Sequence, residues 1–359
     1  MKKKKILFVM IGMLLLTSIT SVLIFLMQRF QKIEEIERWP SVANVYERNM
    51  GDCILFRKKN KIFNFPFIFG ERLCLYDINK GKYYSVAMEN IPFYTFGSCL
   101  AVNKEKVYFN TFGAEENSEL YSKNISGIGI RRKVLNNASL FSADDSRIYY
   151  LKDSEVDEDE SNPLYVKNLK TGKSKKITEG AFVFVLRRDQ DCLYTFDNRT
   201  KEVCEISLNG KKQAQFTGVT EPTWIGRASK DEIIVMEYNN ILLYNKKTKE
   251  KRYYEKNISK HRNYIACDQI HIKNKKCYYV NNALEGYEID LSSGSKKKIF
   301  SVLDMEKYKK AITDLENVYI ETNYCNSYIV IDLFYDSFER EDLIIYSYDG
   351  KLKEVFKLR

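Results

Sequence analysis

Two histidines (His261 and His271), eight cysteines and one dense run of acidic residues are the groups in this 359-residue chain whose chemistry could go beyond structure. Two imidazoles are too few for a metal site built on several histidines. They also make a Ser-His-Asp or Cys-His arrangement hard to assemble. GxSxG, HExxH and the phosphate-cradling P-loop pattern are absent, and only a broken glycine pattern stands at Gly127 and Gly129. A non-enzyme is therefore expected. A carbohydrate-active hydrolase or lyase remains the alternative, because two carboxylates brought together by loops suffice for glycoside chemistry.

The acidic run DSEVDEDE (153–160) sets Asp153, Glu155, Asp157 and Asp159 at alternating positions, which are hard oxygen ligands suited to calcium. No glycine lies between them to make the sharp turn of a calcium loop, so the run reads as a solvated loop. No metal and no cofactor is expected. His271, in the alternating stretch DQIHIKN, reads as a strand residue with a local hydrogen bond. The cysteines form no CxxC pair, and most have the neighbours of strand interiors, where a thiol is a small apolar group. One pairing stands out: Cys192 and Cys204 flank residues 197–200 symmetrically, so a disulfide across a hairpin is possible there.

These groups must be carried by β-structure. After residue 41 the chain consists of short β-rich runs separated by turns, and one unit recurs. A strand like Ile148-Tyr149-Tyr150 returns as Ile54-Leu55-Phe56, Val107-Tyr108-Phe109, Cys192-Leu193-Tyr194, Ile233-Ile234-Val235, Cys277-Tyr278-Tyr279 and Tyr328-Ile329-Val330. A following strand recurs from Leu75, Leu120, Leu164, Val203, Leu243, Gly286 and Ile345, at steps of 45, 44, 39, 40, 43 and 59 residues. Turns such as Thr171-Gly172, Asn209-Gly210 and Asp349-Gly350 come next, with Lys247-Thr248 the exception, and this chemistry suits type I′ hairpins. A further β-run precedes each aromatic strand, as in 181–186, 223–228 and 317–322.

Four strands per unit of about 40 residues make a propeller blade, which buries both faces only by stacking on its neighbours. The expectation is an all-β β-propeller over 42–359, with seven blades favoured and six the alternative. Residues 303–317 read as a short helix before the last blade. The pattern DDSRIYYLKD followed by NPLYVKNLKTGKSKKIT resembles blades of bacterial propellers of the TolB type and of surface proteins related to low-density-lipoprotein-receptor-type propellers. The resemblance implies a binding or scaffolding role and supplies no functional residues; YWTD, paired kelch glycines and a WD dipeptide are absent.

Residues 6–27 are 22 uncharged, largely apolar residues, long enough for a membrane-spanning helix. Lys2 to Lys5 precede them, which places the five-residue tail in the cytoplasm and the rest outside. An uncleaved anchor is favoured over a signal peptide, because cleavage after Thr20 would fall inside the apolar run. The expected order is a tail (1–5), a transmembrane anchor (6–27), a stalk (28–41) and the propeller (42–359). The net charge of +10 includes the four leading lysines, and no basic block is interleaved with aromatics, so nucleic acid is not an expected partner.

In such a blade the loops between strands two and three, and those between blades, gather at one end, where propellers commonly bind. Trp224, His261, Arg262 and Tyr264 are the candidate binding residues there, with Tyr94, Phe96, Glu221 and 336–342 beside them. Trp224 and Tyr264 could instead begin inner strands and pack between blades. The lysine-rich segments 131–133, 173–176, 249–252 and 296–298 read as protection of outer strand edges, or else as a girdle for anionic polymer. The function expected is a membrane-anchored extracytoplasmic binding module for an unknown protein, peptide or cell-wall glycan. An accessory or sensory subunit of a membrane complex is the alternative.

Overall fold

Second strands are continuous apolar runs, which is the pattern of a strand covered on both faces. In the computed structural model Ile233 to Glu237 and Ile329 to Tyr335 are buried without interruption. Third strands alternate, as in Leu164 to Val166, and outermost strands are exposed, as at Ser174 to Lys176 and Lys296 to Lys298. The residues described are 52–59, 71–87, 100–102, 106–112, 118–124, 132–144, 146–152, 163–178, 183–188, 191–238, 240–258, 270–312, 318–335 and 340–357.

They form seven antiparallel sheets, each a meander in chain order. The first has three strands: β1 (Cys53–Lys59), β2 (Glu71–Asp77) and β3 (Lys82–Ala87). The second comprises β4 (Leu100–Val102), β5 (Lys106–Phe112), β6 (Ser118–Asn124) and β7 (Arg132–Asn136). The third comprises β8 (Ala138–Ala143), β9 (Arg147–Lys152), β10 (Leu164–Asn168) and β11 (Ser174–Lys176). The fourth comprises β12 (Val183–Arg188), β13 (Cys192–Asp197), β14 (Glu202–Ser207) and β15 (Lys212–Thr217). The fifth comprises β16 (Pro222–Arg227), β17 (Glu232–Glu237), β18 (Asn240–Asn245) and β19 (Lys251–Glu255). The sixth comprises β20 (Ile270–Lys273), β21 (Lys276–Val280), β22 (Glu285–Asp290) and β23 (Lys296–Ser301). The seventh comprises β24 (Tyr319–Tyr324), β25 (Tyr328–Tyr335), β26 (Arg340–Ser347) and β27 (Leu352–Lys357).

Between the sixth and seventh sheets lie a 3-10 turn (Val302–Asp304) and the helix α1 (Glu306–Ala311), which buries Tyr308; the helix is shorter than the expected 303–317. No helix among the described residues is long and apolar enough to cross a membrane. The expected anchor (6–27), tail and stalk lie outside those residues.

Consecutive sheets pack face to face. Tyr108 and Leu120 meet Leu140 and Ile148, and Tyr149 and Leu164 meet Leu193 and Ile206. Tyr194 and Val203 meet Ile225 and Val235, Met236 meets Cys277 and Tyr279, and Phe300 meets Ile331 and Tyr346. The series returns on itself: Ile54, Tyr76 and Ile78 of the first sheet pack on Val330, Leu343 and Ile345 of the seventh. Sheets three to seven are covered on both faces, whereas sheets one and two each have one covered face described. The all-β propeller architecture holds, with five complete blades described rather than seven.

Polar clamps supplement this packing. Glu205, buried on β14, accepts from Arg227 of β16 and from Lys246 at 3.0 Å, while Arg227 also reaches Asp191 at 2.8 Å. These contacts tie the fourth sheet to the fifth.

The turns that join the third and fourth strands carry their own sequence signal. Asn168, Asn245 and Asp290 each accept two backbone N–H groups through Oδ1, from the residues two and three positions on. The fifth residue of each turn has positive φ: Gly172 at 70°, Gly294 at 76° and Lys249 at 62°. Asn209, Gly210's predecessor, does not have positive φ, so these are not the type I′ hairpins expected. The fifth sheet was the expected exception, and the structure shows why: lysine stands where the others use glycine.

A lysine held at positive φ costs about 1 kcal/mol that glycine avoids. Lys249→Gly is therefore expected to raise the urea midpoint, by about 0.5–1 kcal/mol of stability, and Gly172→Lys to lower it similarly. Glu205→Ala, which leaves Arg227 and Lys246 facing a partly buried gap, is expected to cost about 2 kcal/mol in the same measurement.

Candidate binding face

Trp224 lies on β16 and is 1 % exposed, packed with Ile234, Ile241 and Tyr279 between the fifth and sixth sheets. The local cause is Gly226, two residues on and on the same face. A Cβ there would stand 2.3 Å from the Trp224 ring, so glycine is what lets the ring lie across the strand. Trp224 is thus a core residue and not part of a binding face. His261, Arg262 and Tyr264 lie outside the described residues, as do Tyr94, Phe96 and the acidic run 153–160.

The ends of that undescribed connection are informative. Asn257 N–H donates to Asn240 Oδ1 at 3.1 Å, and Asn282 N–H donates to Ile258 O at 3.4 Å. The turn after β17 and the turn after β21 are therefore both tied to Asn257–Ile258, the segment that follows β19. Tyr238, in the first of these turns, is 57 % exposed at φ 46°. Its hydroxyl is hydrogen-bonded to Glu221, which holds its pKa up. Asn282, in the second turn, has a buried side-chain N–H group with no partner among the described residues. Sequence reasoning selected Glu221 but missed Tyr238 and Asn282. Their one signal was position, between the second and third strands of adjacent units.

Beneath this end the buried polar groups are committed to holding the sheets. Glu237 accepts from Thr220 N–H at 2.6 Å and from Lys251 at 3.0 Å. Asp342, fully buried on β26, accepts from Tyr308 at 2.5 Å, from Tyr335 at 3.2 Å and from Lys307, pinning α1 to the seventh sheet. Burial and then the Asp342 charge push Tyr335 up to about 12, and burial raises Tyr308 further. Glu321 and Asp332 are cross-strand partners on β24 and β25, but Asp332 is 0 % exposed, so this carboxylate pair does not open on solvent.

The remaining candidates resolve differently. Cys192 pairs in register with Ser207, and Cys204 with Thr195. The two cysteines are three positions out of register, on opposite faces: Cys192 packs toward the fifth sheet and Cys204 toward the third. Both are thiols, and the expected disulfide does not form. His271 stacks on Tyr324 with ring centroids 5.3 Å apart. Among the described residues no group of three or more His, Cys, Asp or Glu could hold a metal ion. Lys133, Lys251, Lys296 and Lys298, on outer strands, are paired with Glu119, Glu237, Glu255 and Glu285. Four cations of the expected basic girdle are thereby paired.

No protein-family model matches this chain, and no curated protein does. Solved structures do. The β-propeller domain of the Trilobed protease from Pyrococcus furiosus, described as having an open velcro topology, aligns at a TM-score of 0.54 and 11% identity over 91% of this chain and 96% of that one. An oligogalacturonate lyase in complex with manganese aligns at 0.52 and 12% identity, over 87% and 89%. The chain spans 30% of the tricorn protease, at a TM-score of 0.33. It spans 62% of TolB from Acinetobacter baumannii, at 0.38. At these identities the likeness is one of fold, and the fold is that of a β-propeller.

Proposed function

We propose that this chain is a membrane-tethered, extracytoplasmic β-propeller of seven blades, acting as a binding module through the end where Glu221, Tyr238 and Asn282 lie. The apolar run 6–27 behind four lysines supports the tether and its orientation. The packing of the first sheet on the seventh supports a ring counted from all seven sheets.

The observation that carries the binding reading is the pairing at one end of an exposed aromatic, steadied by a carboxylate, with an amide donor whose hydrogen bond is unused among the described residues. An exposed ring offers contact area at small entropic cost, and an unused buried donor favours a ligand that supplies an acceptor. Such a face suits a peptide or a neutral glycan.

The test is thermal unfolding of the full-length protein in detergent against panels of peptides, cell-wall glycan fragments and metal ions. A ligand at about 100 times its Kd stabilises the native state by about 2.7 kcal/mol. Tyr238→Ala, an exposed change expected to alter unliganded stability by no more than about 0.5 kcal/mol, should remove that shift. Turnover of a glycan would overturn the reading in favour of a carbohydrate-active enzyme. Stable co-purification with a membrane protein, unaffected by Tyr238→Ala, would overturn it in favour of an accessory subunit.

A further inference from the structure

The opposite end of the ring has a different chemistry. In a meander sheet the turns joining strands one to two and three to four lie at the same end. Contacts between sheets show that these ends align. Lys175 Nζ, at the start of β11, donates to Asn209 O in the third-to-fourth turn of the next sheet, at 3.2 Å. Arg227, at the end of β16, reaches Asp191 in the first-to-second turn of the fourth sheet. Sheets three, four and five thus present these turns along one rim.

Lys170, Lys173, Lys211, Lys212, Lys230 and Lys249 are all exposed on that rim. None of the six has an ion-pair partner among the described residues. The carboxylates described on these turns are Asp144, Asp191, Asp231, Glu232 and Glu250: Arg227 pairs with Asp191 and Lys247 with Asp231 at 2.8 Å, while Asp144 accepts from Ser146, Glu232 from the Ser229 hydroxyl and Glu250 from the Thr248 hydroxyl. Of the paired outer-strand lysines named above, Lys251 alone belongs to these three sheets, and its side chain reaches Glu237; lysines predominate among the exposed side chains described on these turns.

The chemistry of the turns narrows the partner. Leu169 and Leu208 are packed inward, and the exposed positions are Asn209, Thr171, Gly172, Thr248 and lysines. Among the described residues of these turns nothing apolar projects to enter a bilayer, and no exposed aromatic offers a surface for stacking bases. Lysine is a compact point charge that tracks a charged backbone without demanding planar geometry.

We propose that the rim of sheets three to five binds an extended polyanion, a chain of repeated phosphate or carboxylate groups, by charge alone. This site is separate from the face carrying Tyr238. A polymer whose charges repeat along its length can meet several lysines at once, releasing condensed counterions as it does, so its binding depends steeply on salt.

The experiment uses the full-length protein in neutral detergent and a labelled linear polyphosphate, read by fluorescence anisotropy. Wild-type affinity is expected to fall at least about tenfold between about 50 and 200 mM salt. Lys170→Glu, Lys211→Glu and Lys230→Glu combined should weaken binding about tenfold or more, lower the salt slope by about three, and leave thermal unfolding unchanged. Lys152→Glu, Lys256→Glu and Lys310→Glu combined, an equal charge change away from this rim, should leave binding nearly intact. Equal loss in the two triple variants would overturn the proposal, as would absent or salt-independent binding. So would binding to anionic phosphatidylglycerol vesicles through the same lysines without binding to polyphosphate, which would assign the rim to a lipid surface.

Discussion

Sheets three to seven each have two apolar faces, and covering both is the constraint from which the architecture follows. A sheet whose central strand is buried throughout, as β17 and β25 are, cannot end a stack against water. Each sheet needs a neighbour on either side, and the last available partner for the seventh is the first. Ile54, Tyr76 and Ile78 fill that place against Val330, Leu343 and Ile345. At about 1.5–3 kcal/mol for each fully buried aliphatic or aromatic side chain, these six residues outweigh the hydrogen bonds around them, worth about 1 kcal/mol each. The polar contacts fix position instead. Asp52 accepts from Ser327 N–H at 2.5 Å and from Asn79 at 3.0 Å, and Tyr76 donates to Glu354. Both partner sheets draw their described strands from their own end of the chain, so side-chain packing makes this contact and no exchanged strand is seen.

Much of this was legible because burial on two faces leaves a strong trace. The runs Ile148-Tyr149-Tyr150 and Ile233-Ile234-Val235 mark second strands directly, and each lies where the repeat placed it. The turn signal was legible in part. Asn168 and Asp290 lead to glycines, but Lys249 and Lys201 occupy the same positive-φ position without glycine. Missing that residue at 201 shifted the turn centre, and with it the register of β13 on β14. Cys192 and Cys204 then looked opposed when they sit on opposite faces. For Trp224 the sequence left two readings, a binding-face residue or an inner-strand residue packed between blades; the structure shows the second, and the space over Gly226 that admits the ring is a property of the folded strand pair and not of spacing along the chain. Ion pairs such as Arg227 with Glu205 join residues of different units, and a single sequence carries no mark of which charges will meet.

The two ends of the ring divide the chemistry between them. Inside, charged residues hold sheets in place: Glu205 the fourth to the fifth, Asp342 the helix α1 to the seventh. The end near Tyr238 presents an aromatic ring, a carboxylate and amides, with Arg199, Lys201 and Lys256 also exposed there. On the other end lysines on short polar turns predominate. A module of this kind needs no moving part, because the packed sheets fix where each turn is presented.

The central claim is that the first and seventh sheets stabilise one another although about 250 residues separate them in sequence. Hydrogen exchange on the full-length protein carrying Tyr76→Ala tests it directly. The account predicts lost protection in the seventh sheet, at 328–335 and 342–347, together with the first, while sheets four and five keep theirs. Loss confined to residues 71–87, with the seventh sheet unchanged, would contradict it.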